Sequence, residues 1–131
     1  PKLQVKLFGA TDLSGDIETS VFSLNLSGAS DYKGKLNATS FVFNGSGASS
    51  CEISGTADDL SLDLSGASIA KFYELYAKGA IVNVSGASTA NIRVSELLKG
   101  DISGASIINY KGDAIVKEMK ASGSSSIRYR N

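Results

Sequence analysis

The sequence predicts an all-β fold, and within that class a right-handed parallel β-helix (a solenoid) of about seven coils with about 19 residues each. Three observations support this prediction. A Ser-Gly-Ala-Ser tetrad recurs along the whole chain, apolar and polar residues alternate on both sides of each tetrad, and serine and glycine, which make up 36 of the 131 residues, follow the same period. A chain equally rich in serine and glycine but without a period would be typical of a flexible linker.

The tetrads are the first element of each repeat. Five copies have the full Ser-Gly-Ala-Ser sequence, and related sequences stand at 8–11 and 122–125. Glycine adopts backbone conformations that other residues resist, and alanine is small enough to pack between stacked coils. The tetrads are therefore predicted to form the structural corners, centred on glycines that are 18 to 20 residues apart: Gly9, Gly28, Gly47, Gly66, Gly86, Gly104 and Gly123.

The strands are the second element. Leu24 and Leu26 precede Gly28 with a polar residue between them, and Tyr32 continues the alternation after the corner. A period of two predicts strands with one buried face, and a third, less regular stretch such as 36–40 completes each repeat. Because a unit of this size cannot bury its own apolar face, each strand is expected to pair with its counterpart in the next repeat, about 4.8 Å away.

The spacing of the tetrads also bears on the handedness of the β-helix and on the main alternative fold. Left-handed β-helices normally follow strict six-residue repeats, so spacings that vary between 18 and 20 favour the right-handed form. An antiparallel β-sandwich also uses short strands and glycine-rich turns, but it does not explain why the same residue type recurs at this period. Residues 1–131 are predicted to form a single β-helix domain.

Composition argues against several classes of function. The chain has no histidine, which removes Ser-His-Asp nucleophile systems and histidine-ligated zinc, and we expect no cofactor or metal. Thirteen Lys and Arg residues balance thirteen Asp and Glu residues without a basic stripe, so no nucleic-acid partner is expected. No segment approaches the roughly 18 apolar residues of a membrane-spanning helix. Cys51 lies in an apolar column and is predicted to be a core residue rather than a nucleophile.

Two sets of residues are candidates for a ligand surface. The first is a polar column three residues before successive glycines, whose stacked amides and carboxylates could bind sugar hydroxyls or a cation: Asn25, Asn44, Asp63, Asn83 and Asp101. A structural interpretation, in which the amides only hydrogen-bond along the stack in solvent, stays open. The second set is a patch of Lys71, Tyr73 and Tyr76, whose tyrosine rings could stack on a sugar.

The repeated pattern Leu-x-Leu-Ser-Gly-Ala-Ser resembles the auto-transporter adhesin head GIN domain family, which consists of envelope-associated proteins common in gut Bacteroidetes. The similarity is plainest at Leu60–Ala67 and at Ile108–Arg128, and it covers essentially the whole chain. It implies a right-handed parallel β-helix and export to the periplasm or cell surface. Family members also carry a leader peptide and a further β-rich segment, so this chain is expected to be the C-terminal part of a longer family unit. The family offers no catalytic motif.

We therefore predict a non-catalytic structural or binding module of the bacterial cell envelope, adhesin-like, with a glycan or a surface protein as its ligand. The alternative is a polysaccharide-active enzyme, a lyase or glycosidase, since right-handed β-helices host both. Asp63 and Asp101 share a column but lie two coils apart, about 9.6 Å, and no acidic cluster surrounds Arg93. A spacer without a ligand is a third possibility. The open N-terminal coil could also recruit a second copy by strand addition.

Overall fold

The computed structural model describes residues 2–10, 12–112 and 115–129, and in these ranges all regular structure is β-strand. The tetrads separate the strands, and several strands run continuously from one tetrad to the next. The strands are β1 (Lys2–Leu7), β2 (Asp12–Glu18), β3 (Val21–Leu26), β4 (Asp31–Gly45), β5 (Ser50–Leu64), β6 (Ile69–Val84), β7 (Thr89–Ile102), β8 (Ile107–Lys111), β9 (Ile115–Ala121) and β10 (Ser126–Tyr129).

Strand pairing is parallel throughout these residues. The hydrogen-bonded order is β1-β3-β4-β5-β6-β7-β8-β10, while β2 pairs with β4 and β9 pairs with β7. Leu24 lies opposite Phe43, and Phe43 lies opposite Leu62, so each strand pairs with the sequence one repeat later. The chain is therefore a parallel β-solenoid of about six turns between its seven tetrads, as predicted. Its right-handed winding stays a prediction.

Apolar columns fill the interior. Most inward residues of β3 to β7 are fully or nearly fully buried because each stacks between the apolar residues at the same register position in the coils before and after. Four phenylalanines form the largest group, and the rings of Phe22 and Phe41 stack with their centroids 5.4 Å apart. Phe72 contacts Phe41 and Phe43 from a later coil, at 5.7 and 5.8 Å between centroids. Cys51 is also buried in this interior, where sequence analysis placed it.

The tetrads turn the chain and join neighbouring coils. The tetrad glycines have φ between 67° and 74°, a left-handed conformation that most residues resist. The alanine N–H of one tetrad donates to the glycine carbonyl of the previous tetrad, for example Ala67 to Gly47 at 2.8 Å. The last serine of each full tetrad is buried, and in three of the five its hydroxyl donates to the carbonyl of the first serine, as in Ser68 to Ser65 at 2.9 Å. The buried hydroxyls thus have hydrogen-bond partners within the corners.

The first coil is less covered than the coils that follow. Leu3 lies opposite Phe22 in the register, but Leu3 is 39% exposed and Phe22 is fully buried. Leu13 is likewise 39% exposed, whereas its partner Tyr32 is 3% exposed. Phe8, just before the first corner, is 68% exposed. Within the described residues, the N-terminal end of the solenoid therefore presents an apolar surface.

Candidate functional site

The polar column forms a continuous row, which we call the Asn/Asp ladder: Asn25, Asn44, Asp63, Asn83 and Asp101 on β3 to β7. Each member lies directly opposite the next in the parallel register. Consecutive members are therefore about 4.8 Å apart, the usual distance between neighbouring strands. Lys6 and Lys120 occupy the positions before and after the ladder in the same register. The structure thus brings together all five residues of the predicted column.

The ladder faces outward because its neighbours in each strand face inward. Leu62 and Leu64 are buried on either side of Asp63, and successive side chains of a strand point to opposite faces. Asn44 Nδ2 donates to Asn25 Oδ1 at 2.9 Å, so the amides at one end bond along the stack. In the part of the chain that the structure describes, neither salt bridge involves Asp63 or Asp101. Their carboxylates are exposed to solvent.

A second outward row runs along the stretch after each corner and contains Lys71. It comprises Ser14, Lys33, Glu52, Lys71, Asn91, Asn109 and Arg128, each opposite the next. Lys33 Nζ lies 3.8 Å from Glu52 Oε2, and Asn109 Nδ2 donates to Asn91 Oδ1 at 2.9 Å. This row also carries stacked amides and a carboxylate on an outward stretch of the coil, but unlike the Asn/Asp ladder it includes cations. Its Glu52, Asn91 and Asn109 offer a comparison with the ladder in a binding experiment.

The residues of the predicted patch, Lys71, Tyr73 and Tyr76, line two clefts. Lys71 and Tyr73 line one cleft of about 500 Å³, together with Glu52. Tyr76 lines another cleft of about 400 Å³, where its neighbour is Arg93. Arg93 contacts both tyrosines and so connects the two clefts.

Two cations, Arg93 and Lys111, accompany these tyrosines, and sequence reasoning did not connect them to the patch. The guanidinium carbon of Arg93 lies 4.8 Å from the ring centroid of Tyr76, and Lys111 Nζ lies 4.4 Å from that of Tyr73. Arg93 Nε also donates to the Tyr73 carbonyl at 2.8 Å. Counting from the corner glycines puts Arg93 opposite Tyr73, but the register shifts between Phe72 and Tyr76, and Arg93 pairs with Tyr76 instead.

The titratable groups of the interior favour a structural role. Burial, and secondarily the charge of Glu52, raise the pKa of the Cys51 thiol well above its ordinary value, so it stays protonated and weakly nucleophilic near neutral pH. Burial, followed by the charges of Cys51 and Asp16, raises the pKa of Tyr32.

Among the described residues, no three His, Cys, Asp or Glu side chains are grouped as metal ligands. None of those residues belongs to a helix long and apolar enough to cross a membrane.

Three solved structures from Parabacteroides and Bacteroides species share this fold. One is a "putative lipid binding protein" from Parabacteroides distasonis ATCC 8503, with a TM-score of 0.92, 20% identity and coverage of 99% of this chain and 56% of that one. A "putative adhesin" from Parabacteroides merdae ATCC 43184 has a TM-score of 0.89 and 20% identity over 99% of this chain and 57% of that one. A "putative adhesin" from Bacteroides fragilis NCTC 9343 has a TM-score of 0.85 and 18% identity over 91% and 56%.

These similarities concern the fold, because the identities are low, and this chain spans little more than half the length of each solved structure. No curated protein matches the chain. The family model described as "putative auto-transporter adhesin, head GIN domain" matches residues 2–114, which is most of the sequence. That match includes the first six corners and the complete Asn/Asp ladder. The chain therefore belongs to the auto-transporter adhesin head GIN domain family.

Proposed function

We propose that this chain is a non-catalytic binding module of the bacterial cell envelope and that it binds a glycan along the Asn/Asp ladder. The observation that carries the proposal is the unbroken register of the ladder on an outward face. Amide groups donate and accept hydrogen bonds, and carboxylates accept them, so together they complement sugar hydroxyls. A row of such groups at a fixed spacing suits a ligand that itself repeats, as a polysaccharide does.

The envelope location is part of this proposal. It is supported by the family description, which refers to an adhesin head, and by the adhesin descriptions of two solved relatives. The third relative is described as lipid binding, a statement that concerns that protein. The polar character of the ladder favours a sugar over an acyl chain. We expect cell fractionation to recover the protein from the periplasm or the cell surface, and recovery from the cytosol would contradict the proposed location.

The enzyme alternative depends on the two carboxylates of the ladder. Asp63 and Asp101 lie two strands apart with Asn83 between them, a distance of about 9.6 Å, which is just beyond the range of about 6.5–9.5 Å for an inverting glycosidase. The family and the three solved structures have adhesin or lipid-binding descriptions rather than enzymatic ones. Release of reducing ends or of unsaturated sugars from a bound polysaccharide, lost in Asp63→Asn, would establish the enzyme instead.

The experiment is a glycan array of host and bacterial polysaccharides probed with three proteins. The first is the wild type, and the second is the ladder variant Asn44→Ala/Asp63→Ala/Asn83→Ala. The third is the matched variant Glu52→Ala/Asn91→Ala/Asn109→Ala. Each variant removes two amides and one carboxylate from an outward row and breaks an amide hydrogen bond of 2.9 Å. The matched variant also removes the exposed ion pair between Lys33 and Glu52.

We expect binding by the wild type and the matched variant and loss of binding in the ladder variant, with similar melting temperatures for both variants. Equal loss in both variants would mean that a general polar surface, not the ladder, attracts the glycan. Absence of binding by the wild type would overturn the glycan ligand and leave a protein ligand or a spacer as the function.

A further inference from the structure

The strip formed by Tyr76, Arg93 and Lys111 has a different chemistry from the Asn/Asp ladder. These three residues occupy successive register positions on β6, β7 and β8. Tyr76 lies seven residues before the ladder member Asn83 in β6, so the strip belongs to another stretch of the coil. One aromatic ring and two cations therefore follow one another along the solenoid axis at about the spacing of its strands.

Arg93 is held in a fixed position. Its guanidinium packs on the ring of Tyr76 at 4.8 Å from the centroid, and its Nε donates to the Tyr73 carbonyl at 2.8 Å. The terminal nitrogens of the guanidinium remain as a fork of donors whose orientation is set before a ligand arrives. A planar donor fork of this kind is suited to bidentate recognition of a carboxylate or sulfate.

The described residues that line the cleft carry one more positive charge than negative charge. The cleft of about 400 Å³ at Tyr76 and Arg93 is also lined by Thr56, Asp58 and Lys78. Lys78 Nζ lies 3.9 Å from Asp58 Oδ1, so these two charges offset each other. Among the described side chains, the salt bridges involve neither Arg93, which lines this cleft, nor Lys111, whose Nζ lies over Tyr73 at the adjoining cleft.

The tyrosine supplies the other half of a sugar site. Tyr76 is 55% exposed although Arg93 covers part of its ring. An exposed aromatic surface packs against the apolar face of a sugar ring, while an adjacent cation binds an acidic substituent. A neutral sugar would use only the tyrosine ring, whereas an anionic sugar would use both the ring and the cation. The pairing of the two groups therefore favours an anionic sugar.

We propose that the cleft at Tyr76 and Arg93 is a binding site for an anionic sugar residue of a glycan. The sugar ring packs on the exposed part of Tyr76, and its carboxylate or sulfate binds to Arg93, with Lys111 adding to the attraction. The site lies apart from the Asn/Asp ladder, so this proposal and the proposed function can fail separately.

Isothermal titration calorimetry with three probes tests the site: oligogalacturonate, which carries carboxylates, dextran sulfate oligomers, which carry sulfates, and neutral dextran. We expect at least one acidic probe to bind about tenfold or more tightly than dextran, with the affinity falling as salt is added. The acidic probe that binds identifies the anion. Equal affinity for dextran and both acidic probes would overturn the proposal.

The variants place the binding on the strip. Tyr76→Ala and Arg93→Gln are each expected to weaken binding of the acidic probe about tenfold, and Arg93→Lys, which keeps the charge but loses the fork, less than Arg93→Gln. Tyr76→Ala removes an exposed ring, so it is the variant to rely on if Arg93→Gln unfolds. Lys33→Gln removes a positive charge elsewhere, and an equal loss in this control would mean non-specific attraction. Loss in the ladder variant but not in Tyr76→Ala would also refute the site.

Discussion

Gly66 gives the sharpest test of how the corners are built. Its φ of +69° is strained for any residue with a Cβ, and a Cβ added there would lie 2.7 Å from the Gly47 carbonyl oxygen and 3.0 Å from the Gly47 nitrogen. That oxygen already accepts the Ala67 N–H at 2.8 Å, so it is fixed between two coils. Gly66→Ala therefore combines a backbone penalty with a clash against rigid backbone of the previous coil.

Two other glycines separate these contributions. Gly9 has nearly the same φ, +72°, but an added Cβ would meet nothing within 4 Å, so Gly9→Ala should cost only the left-handed conformation, about 1–2 kcal/mol. An added Cβ on Gly79 would meet nothing nearer than 3.9 Å and its φ is not strained, so Gly79→Ala should be neutral or stabilise by about 0.4–1 kcal/mol. For Gly66→Ala the clash adds about 1–3 kcal/mol, for a total of about 2–5 kcal/mol.

Urea unfolding followed by circular dichroism measures the three variants beside the wild type. The expected order of destabilisation is Gly66→Ala first, Gly9→Ala second and Gly79→Ala last. A cost for Gly66→Ala no larger than that for Gly9→Ala would refute the argument that contact between stacked corners requires glycine. A cost for Gly79→Ala comparable to that of Gly66→Ala would mean that loss of any glycine in the strands disturbs the solenoid.

Three further predictions concern the core, the first coil and pH. Phe41→Ala should lower the free energy of unfolding by about 3–5 kcal/mol, since its buried ring contacts three others, and urea unfolding checks this. If the first coil recruits a second copy, light scattering should show a concentration-dependent dimer that Phe8→Asp removes; a monomer at every concentration contradicts it. Burial raises the pKa of the Cys51 thiol in the folded chain, so as pH rises the unfolded chain loses this proton first. Deprotonation stabilises the unfolded chain, and the free energy of unfolding should therefore fall as pH rises above about 8.5, the ordinary pKa of a cysteine. Cys51→Ala should flatten that decline in urea unfolding until Tyr32 ionises, and an unchanged decline would show that the thiol does not cause it.

The period of the sequence was enough to predict the fold and the Asn/Asp ladder. Between corners of equal spacing, counting from the glycines gives the true register, and it places Asn44 opposite Asp63 as the structure does. The hydrophobic columns could be predicted from the same register, because a slip of one residue would turn every apolar side chain of a strand outward. A ligand surface at the ladder, and a glycan as one candidate ligand, could be proposed from sequence, but which glycan would bind could not.

The strip at Tyr76 could not be predicted because it depends on where an irregularity falls. The coil that starts at Gly66 has 20 residues and the one that starts at Gly86 has 18, so extra residues in β6 must bulge. Phe72 and Leu75 are both fully buried, and the chain satisfies both by shifting the register between Phe72 and Tyr76. The difference in length shows that a bulge exists, but only three-dimensional packing decides that it brings Arg93 onto Tyr76.

The direction of the interstrand hydrogen bonds has a mechanical consequence. These bonds connect one coil to the next, and the two chain ends lie at opposite ends of the strand order. A pull on the two ends would load the bonds of the terminal coil first, so the solenoid would unravel coil by coil instead of resisting as a whole by shear. Each coil of 18 to 20 residues would release on the order of 60 Å of extended chain. Under load, such a rod would lengthen in steps and lower the force on whatever holds its two ends.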